Sequence, residues 1–421
     1  MSERKLPLDG IKVADFSWFG AGPICAQNLG RFGATVVRVE SEAHIDGLRG
    51  VMPFATGKSG YNVSGYFNNY NAGKLDLTLN LGTDLGKQLA LKLIAWCDIF
   101  LTNQTPRMVE RWGFTYDELV KINPAIIAAY QPMQGSDGPH RDFFGFGQVL
   151  NAITGYNELS GFPGRPPMGL GTNYPDYVIN PGHTLIAILA ALRYRKRTGK
   201  GQRVELAQIE SSVAPLAPAV MDYTSNGRVQ TRAGNRLPYA SPHGAFRCKD
   251  NEWGGKPEDR WLAFGVFDDA QWRALVEAMG ALRPGGRAAW ADDAKFATLD
   301  ARKQHEDELE AHITAWTREH TAEELMELLQ SKGVPAGVVQ NSRDVLEADE
   351  HLKARGYYQY LEHPETGRSA YDGAPFVMSK TPGTLRSPAP LLGQDNEYVC
   401  KEILGLTDEE IAEALVEQAL Y

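Results

Sequence analysis

The first two hundred residues alternate between short apolar runs and segments of helical periodicity. Ile11 to Phe16 is a nearly unbroken apolar run of strand length. Gly20-Ala21-Gly22-Pro23 is a turn that places proline at a first helical position, and Ile24 to Phe32 reads as a helix stopped by Gly33. Thr35 to Glu40 is β-branched and buried in character. Leu85 to Cys97 is an amphipathic helix that feeds a strand at Ile99 to Leu101, and Ile126 to Tyr130 is a further strand. An apolar helical run starts at His183 and continues through Leu185, Ile188, Leu189 and Leu192. The basic, glycine-punctuated stretch Arg193 to Gln202 reads as a hairpin signal before an alternating strand, Arg203 to Leu206. Strands alternating with helices, most strands apolar on both faces, predict an α/β fold with an open, Rossmann-like, mainly parallel sheet.

The pattern changes at Thr224 to Pro238, a polar, glycine-containing stretch that reads as a linker. Beyond it, Gly244 to Arg247 and Trp261 to Val266 read as strands around a loop, Asp250 to Asp259. Helices follow at Ala270 to Met279, Ala301 to Thr317 and Ala322 to Ser331. The expected organisation is a large-domain segment over 1–225, a smaller α+β domain over 226–332, and a return to the large domain over 333–421, starting at Gly333-Val334-Pro335-Ala336-Gly337.

Composition narrows the class. The 421 residues are 43% hydrophobic and 23% charged, ordinary for a globular protein, and the formal net charge of −9 argues against a nucleic-acid partner. No apolar run approaches the roughly 20 residues that span a bilayer, and Met1 to Pro7 lacks the apolar core of a signal peptide. The four cysteines, Cys25, Cys97, Cys248 and Cys400, form neither a CxxC pair nor a zinc-site spacing. They read as reduced thiols of a cytoplasmic protein that binds no metal.

Candidate chemistry concentrates at Tyr174-Pro175-Asp176-Tyr177, a turn-like stretch that follows a Gly- and Pro-rich loop and delivers a carboxylate to the mouth of an apolar helix. The Gly20-Ala21-Gly22 turn with Glu40 imitates a dinucleotide fingerprint, but Cys25 stands where its third glycine belongs. His140 follows Gly138-Pro139 and reads as a loop residue, and His183 opens the helix behind Asp176. The cations Arg193 to Lys200 suit either a helix C-terminus or a phosphate or partner surface.

Taken with the surrounding blocks, Asp176 carries a resemblance. Tyr174-Pro175-Asp176, then Ile188-Leu189-Ala190-Ala191-Leu192-Arg193 and Arg197-Thr198-Gly199-Lys200-Gly201-Gln202, resemble the class III CoA-transferases, the formyl-CoA-transferase-like and carnitine-CoA-transferase-like enzymes. The resemblance opens at Leu8-Asp9-Gly10-Ile11-Lys12-Val13. It passes through Gly33-Ala34-Thr35-Val36-Val37-Arg38-Val39-Glu40 and Asn103 with Arg111-Trp112-Gly113, and ends at Ala389-Pro390-Leu391-Leu392-Gly393-Gln394 and Leu404-Gly405.

The resemblance implies that Asp176 is a nucleophile forming a mixed anhydride and then an aspartyl-CoA thioester. The CoA thioester is a substrate, and there is no permanently bound cofactor. About one extra residue separates Asp176 from the ILAAL run. The resemblance also assigns Arg38, Lys74, Asn103 and Arg111 to CoA binding; Leu75 stands where an arginine often follows that lysine. The family's active-site glutamine falls on Gly20, which implies room for a larger acyl group or a different polar contact. Related racemases place a catalytic histidine where this chain has Phe146-Gly147, so the resemblance favours transfer over α-proton chemistry.

Tyr-Pro-Asp-Tyr and the segment Gly57 to Asn71 are similar to the succinyl-CoA:benzylsuccinate CoA-transferase subgroup. That implies a succinyl-CoA donor and an aromatic or substituted dicarboxylic acceptor, walled by Trp18, Phe19, Tyr66, Phe67, Tyr70, Tyr156 and Tyr177. Its second carboxylate would meet Arg49, Arg141 or Arg165. The family architecture implies a large domain built from both chain ends and an interlocked dimer, either of two identical chains or with a related subunit. The rival readings are a racemase or isomerase of the same fold and a CoA-binding subunit of a heteromeric transferase.

Overall fold

Every strand of the main sheet is short, and what joins them is the burial of both faces. The computed structural model describes residues 5–55, 57–282 and 288–421. The elements that build the sheet run in the order β1 (Lys12–Asp15), α1 (Ala21–Arg31), β2 (Thr35–Glu40), α2 (Gly65–Asn71), β3 (Leu75–Thr78), α3 (Asp84–Trp96), β4 (Ile99–Thr102), α4 (Pro106–Trp112), α5 (Tyr116–Ile122), β5 (Ile127–Tyr130), α6 (Gly147–Thr154), α7 (Asn180–Thr198), β6 (Gln202–Glu205) and α8 (Gln208–Val213). The six strands lie in the order β3-β2-β1-β4-β5-β6, and every pairing is parallel. One face packs Phe16, Val37, Leu77, Leu93 and Phe100, and the other packs Val13, Leu29, Val36, Ile99 and Ile188. The α/β expectation therefore holds. The chain leaves β1 on one side to form β2 and β3 and on the other to form β4, so a crevice opens beyond the C-terminal ends of β1 and β4.

Arg193 to Gln202 is not a hairpin. Helix α7 continues to Thr198 and is closed by Gly199 at φ +72°, and β6 then pairs parallel to β5. The basic residues of its last turn complement the helix C-terminus, and Arg195 Nη2 reaches Asp98 at 2.6 Å.

The edge strand β3 was not legible as a strand in LDLT. It is protected by the chain's far end. The Asp395 carboxylate accepts from Asp76 N (2.8 Å), Asn396 Oδ1 accepts from Thr78 N (2.8 Å), and Asn396 Nδ2 donates to Thr78 Oγ1 (2.7 Å). Side chains here substitute for a seventh strand. Val399, Cys400, Ala414 and Leu420 complete the core beneath them.

Two compact units result: Met1–Asn157 with Gly169–Gln230 and Glu350–Tyr421, and Glu158–Met168 with Thr231–Asp349. The second contains an antiparallel sheet in which Trp261–Gly265 lies between His243–Arg247 and Ala336–Val338. It is packed by Phe264, Leu275, Ile313 and Leu325. Because Ala336–Val338 pairs with Trp261–Gly265, this unit extends past residue 332, to Asp349.

Replacing Asn396 by Ala should cost about 1–2 kcal/mol of stability, the value of the hydrogen bonds to β3. Urea unfolding of the purified variant checks it, and a midpoint equal to that of the parent chain would refute the edge-capping role.

Candidate active site

The crevice holds a cavity of about 760 Å³, lined among others by Trp18, Phe19, Gly20, Asn103, Arg107, Arg111, Phe146, Asp176 and Gln208. A smaller apolar chamber of about 220 Å³ shares Trp18, Gln104, Met108 and Arg111 with it and adds His44, Leu79, Lys87 and Trp112.

Asp176 is buried, 7% exposed, in a turn of π-helix (Pro175–Ile179) that runs directly into α7. The helix thus begins before His183, which is exposed. Two prolines account for the turn. Pro175 suits a first helical position, while Pro181 lacks an N–H and its ring opposes the carbonyl four residues back, so the ladder widens by one residue. Asp176 Oδ2 accepts from Gly147 N at 2.9 Å, at the start of α6. Glycine is required there, because a Cβ on residue 147 would lie 2.6 Å from that oxygen. Gly20 serves close approach as well: a Cβ there would sit 3.1 Å from Asp176 Cβ and 3.3 Å from the Tyr177 ring. The room expected at Gly20 is filled by the turn that carries Asp176.

Among the described residues no cation pairs with Asp176. Burial pushes its carboxyl up to about 6, opposed by the Gly147 N–H and the Asn180 side chain. The group is an anion at neutral pH, desolvated and unneutralised.

Asn103 meets the end of β1 instead of lying free. Its Oδ1 accepts from Trp18 N (2.9 Å) and its Nδ2 donates to Trp18 O (2.6 Å), so one side-chain amide extends the β1–β4 ladder by a residue. Arg111 is exposed on α4 and lines both chambers. Arg107, one helical turn earlier, lines the larger one. The sequence signal for it, two arginines four apart in PRMVERW, was available and unused.

Arg38 and Lys74 lie outside the cavity, in a fully buried charge cluster. Lys74 Nζ donates to Asp15 (2.9 Å) and Asn71 (2.8 Å). Arg38 pairs with Asp46 and Glu40 and donates to Ser17 O (3.1 Å) and Asn71 Oδ1 (3.0 Å). Arg49 pairs with Glu40 (2.7 Å) and stacks over Phe67, 3.7 Å from the ring centroid. Burial and the adjacent Glu40 hold the Asp76 carboxyl well above the carboxylate range. Arg38, Arg49 and Lys74 thus lie among four buried carboxyl groups, Asp15, Glu40, Asp46 and Asp76. The cluster supports the cavity floor: Asp46 accepts from Phe19 N (3.2 Å) and holds that residue at φ +62°, an uncommon conformation for phenylalanine.

The expected aromatic wall divides. Trp18 and Phe19 line the cavity, and Phe19 packs on Phe146 with centroids 4.5 Å apart. Tyr66, Tyr70 and Tyr177 form a separate cluster, in which burial first and then the Asp176 carboxylate raise the Tyr66 phenol. Phe67 is buried beneath Arg49, and Tyr156 is buried beside Tyr174. Of the three arginines weighed for a second carboxylate, Arg49 is committed to Glu40, and Arg141 pairs with Glu110 and Asp142. Arg165 belongs to the smaller unit. His140 stacks on Phe143.

The crevice at the strand ends has room for a nucleotide and is edged by a buried carboxylate. The model of CoA-transferase family III matches residues 8–396. The chain is 32% identical to a succinyl-CoA–D-citramalate CoA-transferase of Chloroflexus aurantiacus, with 96% of each chain covered. It is 33% identical to the beta subunit of a succinyl-CoA–L-malate CoA-transferase of the same organism, again with 96% of each covered. A solved CAIB/BAIF family protein from Brucella suis superposes with a TM-score of 0.83 at 28% identity, covering 95% of this chain and all of that one. The chain belongs to CoA-transferase family III and is a CoA-transferase whose substrates are CoA thioesters.

Arg38→Gln should destabilise the fold by roughly 3–5 kcal/mol, since it strands buried carboxylates, whereas Arg111→Gln should change stability by less than about 0.5 kcal/mol. Denaturant titration of both variants separates buried from cavity cations. For Asp176 the folded pKa lies above the unfolded value, so its charged form is a penalty absent below about pH 4 and complete above pH 6. Asp176→Asn should therefore raise stability at pH 8 by on the order of 2 kcal/mol and leave it unchanged at pH 4. Melting temperatures at the two pH values test the sign.

Proposed function

We propose that this chain transfers CoA from succinyl-CoA to a substituted dicarboxylic acid, with Asp176 as the covalent nucleophile. The observation that carries the reading is a buried carboxylate without a cationic partner at the end of the cavity. Such a group is ionised at neutral pH yet poorly solvated, so it attacks without a separate base. The carboxylate oxygen adds to the thioester carbonyl carbon, the C–S bond breaks, and CoA leaves as the thiolate from a succinyl–aspartyl anhydride. The thiolate then attacks the aspartyl carbonyl and releases succinate, leaving an aspartyl-CoA thioester. The acceptor carboxylate attacks that thioester and expels CoA thiolate from a second anhydride. Thiolate attack on the acceptor's acyl carbon frees the new CoA ester and regenerates Asp176. The Gly147 N–H, already 2.9 Å from Oδ2, is aimed at the oxygen that carries charge in the tetrahedral states on Asp176.

Arg111 and Arg107 supply cations for the phosphates or the acid's distal carboxylate, and the chamber edged by Trp18, Met108 and Trp112 suits a flat base. Asn103 acts on CoA by fixing the Trp18 backbone; Arg38 and Lys74 act from beneath, through Asp46 and Asp15. Succinyl-CoA and hydroxylated dicarboxylates appear in the names of the two Chloroflexus relatives. Trp18, Phe19, Phe144 and Phe146 favour an apolar substituent such as the benzyl group of benzylsuccinate. Apart from Asp176, the described residues that line the cavity include one carboxylate, Asp142, and no histidine, which supports transfer over α-proton exchange. Exposed Ile186, Leu189, Val220, Met221 and Tyr223 support an intertwined dimer. Because one relative is a named subunit, activity of this chain expressed alone decides between a homodimer and a heteromer.

Incubation with succinyl-CoA, digestion and mass spectrometry should find CoA on Asp176, and none in Asp176→Ala. Measurable CoA binding with no adduct from any of several acyl-CoAs would sink the covalent reading. The rate of adduct formation should fall tenfold per unit below about pH 6, because only the carboxylate attacks.

A further inference from the structure

We infer that Arg107 is the specificity-determining residue for the acid: its guanidinium takes the distal carboxylate of the dicarboxylic acyl group, whereas Arg111 takes the phosphates of CoA. The inference rests on the proposed transfer between succinyl-CoA and a dicarboxylic acid. It divides between two cations the roles that this reading leaves shared.

The two arginines lie four residues apart on α4 and share one face of it. Among the described residues they are the cations that line the cavity of about 760 Å³. Both are exposed, and among the described residues neither guanidinium has an ion pair or a hydrogen bond. Arg38, Arg49 and Lys74, by contrast, are each committed to carboxylates. A guanidinium left unpaired in a cavity is a fork of donors for a carboxylate or a phosphate. Their neighbours tell the two apart. Arg111 also lines the smaller chamber, with Trp18, Met108 and Trp112. It stands where the two chambers meet, so a base seated in the smaller one brings its phosphates past Arg111. Arg107 lines the larger cavity and not the chamber. The wall beside it is the loop that carries Asp142, Phe144 and Phe146. At one end of this loop Asp142 Oδ1 accepts from the Arg107 main-chain N–H at 3.3 Å. At the other end the Gly147 N–H lies 2.9 Å from Asp176 Oδ2. One short loop with an aromatic wall thus leads from Asp176 to Arg107. An acyl group lying along it has its reacting carbon at Asp176 and its far end toward Arg107. Asp142 leaves that guanidinium free, because its carboxylate pairs with Arg141, at 3.7 Å, and not with Arg107.

The full chain is assayed with succinyl-CoA as donor, and labelled succinate is compared with labelled butyrate, a chain of the same length that lacks the second carboxylate. In a double displacement, kcat/KM for the acceptor reports only its attack on the enzyme-bound thioester, so each acid is measured alone. Arg107→Gln should lower kcat/KM for succinate relative to butyrate by roughly tenfold or more, with CoA affinity by calorimetry within about twofold. Arg111→Gln should do the reverse: CoA binds roughly tenfold more weakly, and the ratio of the two acids stays. Arg107→Lys keeps the charge and should recover part of the succinate rate, which a packing defect would not allow. Where butyrate does not turn over, kcat/KM for succinate set against CoA affinity in the two glutamine variants decides. An unchanged preference for succinate in Arg107→Gln, or a loss of CoA affinity there equal to that in Arg111→Gln, would overturn the assignment. Failure of the underlying reading looks different: the parent chain would move no label from succinate into succinyl-CoA, or Asp176→Ala would still do so.

Discussion

The ion pair between Arg38 and Asp46 is the contact on which the site rests. Both side chains are fully buried, and each would be costly alone. Arg38 leaves the middle of the sheet on β2. Asp46 lies in the following loop and accepts the Phe19 N–H. One end of this pair is thus fixed by parallel pairing, and the other pins the turn that closes the cavity floor. Lys74 does the same for the end of β1 through Asp15. A buried cluster of this kind adds little net stability over an apolar core, but it admits one arrangement, because any displacement leaves a charge unpaired. A turn held at positive φ needs such a base.

Above the floor the physics reverses. Among the described residues Asp176 has no cation partner and is held by the Gly147 main-chain N–H. The same burial that requires pairing below raises the energy of an unpaired anion here. The two regimes are separated by little more than the Trp18–Phe19–Gly20 turn, whose Gly20 lets the Asp176 backbone come close.

The alternation of apolar runs announced the parallel sheet, because strands buried on both faces must be apolar throughout. Asp176 was legible because its neighbours in space are its neighbours in sequence: Pro175, Asn180 and Pro181 shape its turn locally. The π turn itself was read as an ordinary turn, since one extra residue in a helical ladder leaves no mark on hydrophobic periodicity. Strand β3 escaped notice because an edge strand of four residues, half its polar atoms satisfied by Asp395 and Asn396, lacks the length that period-two alternation needs.

What the sequence by itself determined was the order of most strands and helices and the family, properties written in local composition and in motif order. Tertiary structure alone decided which charges line the cavity and which are buried in the fold. Arg38, Lys74, Arg107 and Arg111 are alike in sequence. The first two sink among Asp15, Glu40 and Asp46, whereas the other two stand one helical turn apart on an exposed face of α4. A cation's role depends on the carboxylates and the water within a few ångströms of it, and those distances are set by the packing of segments far apart in the chain.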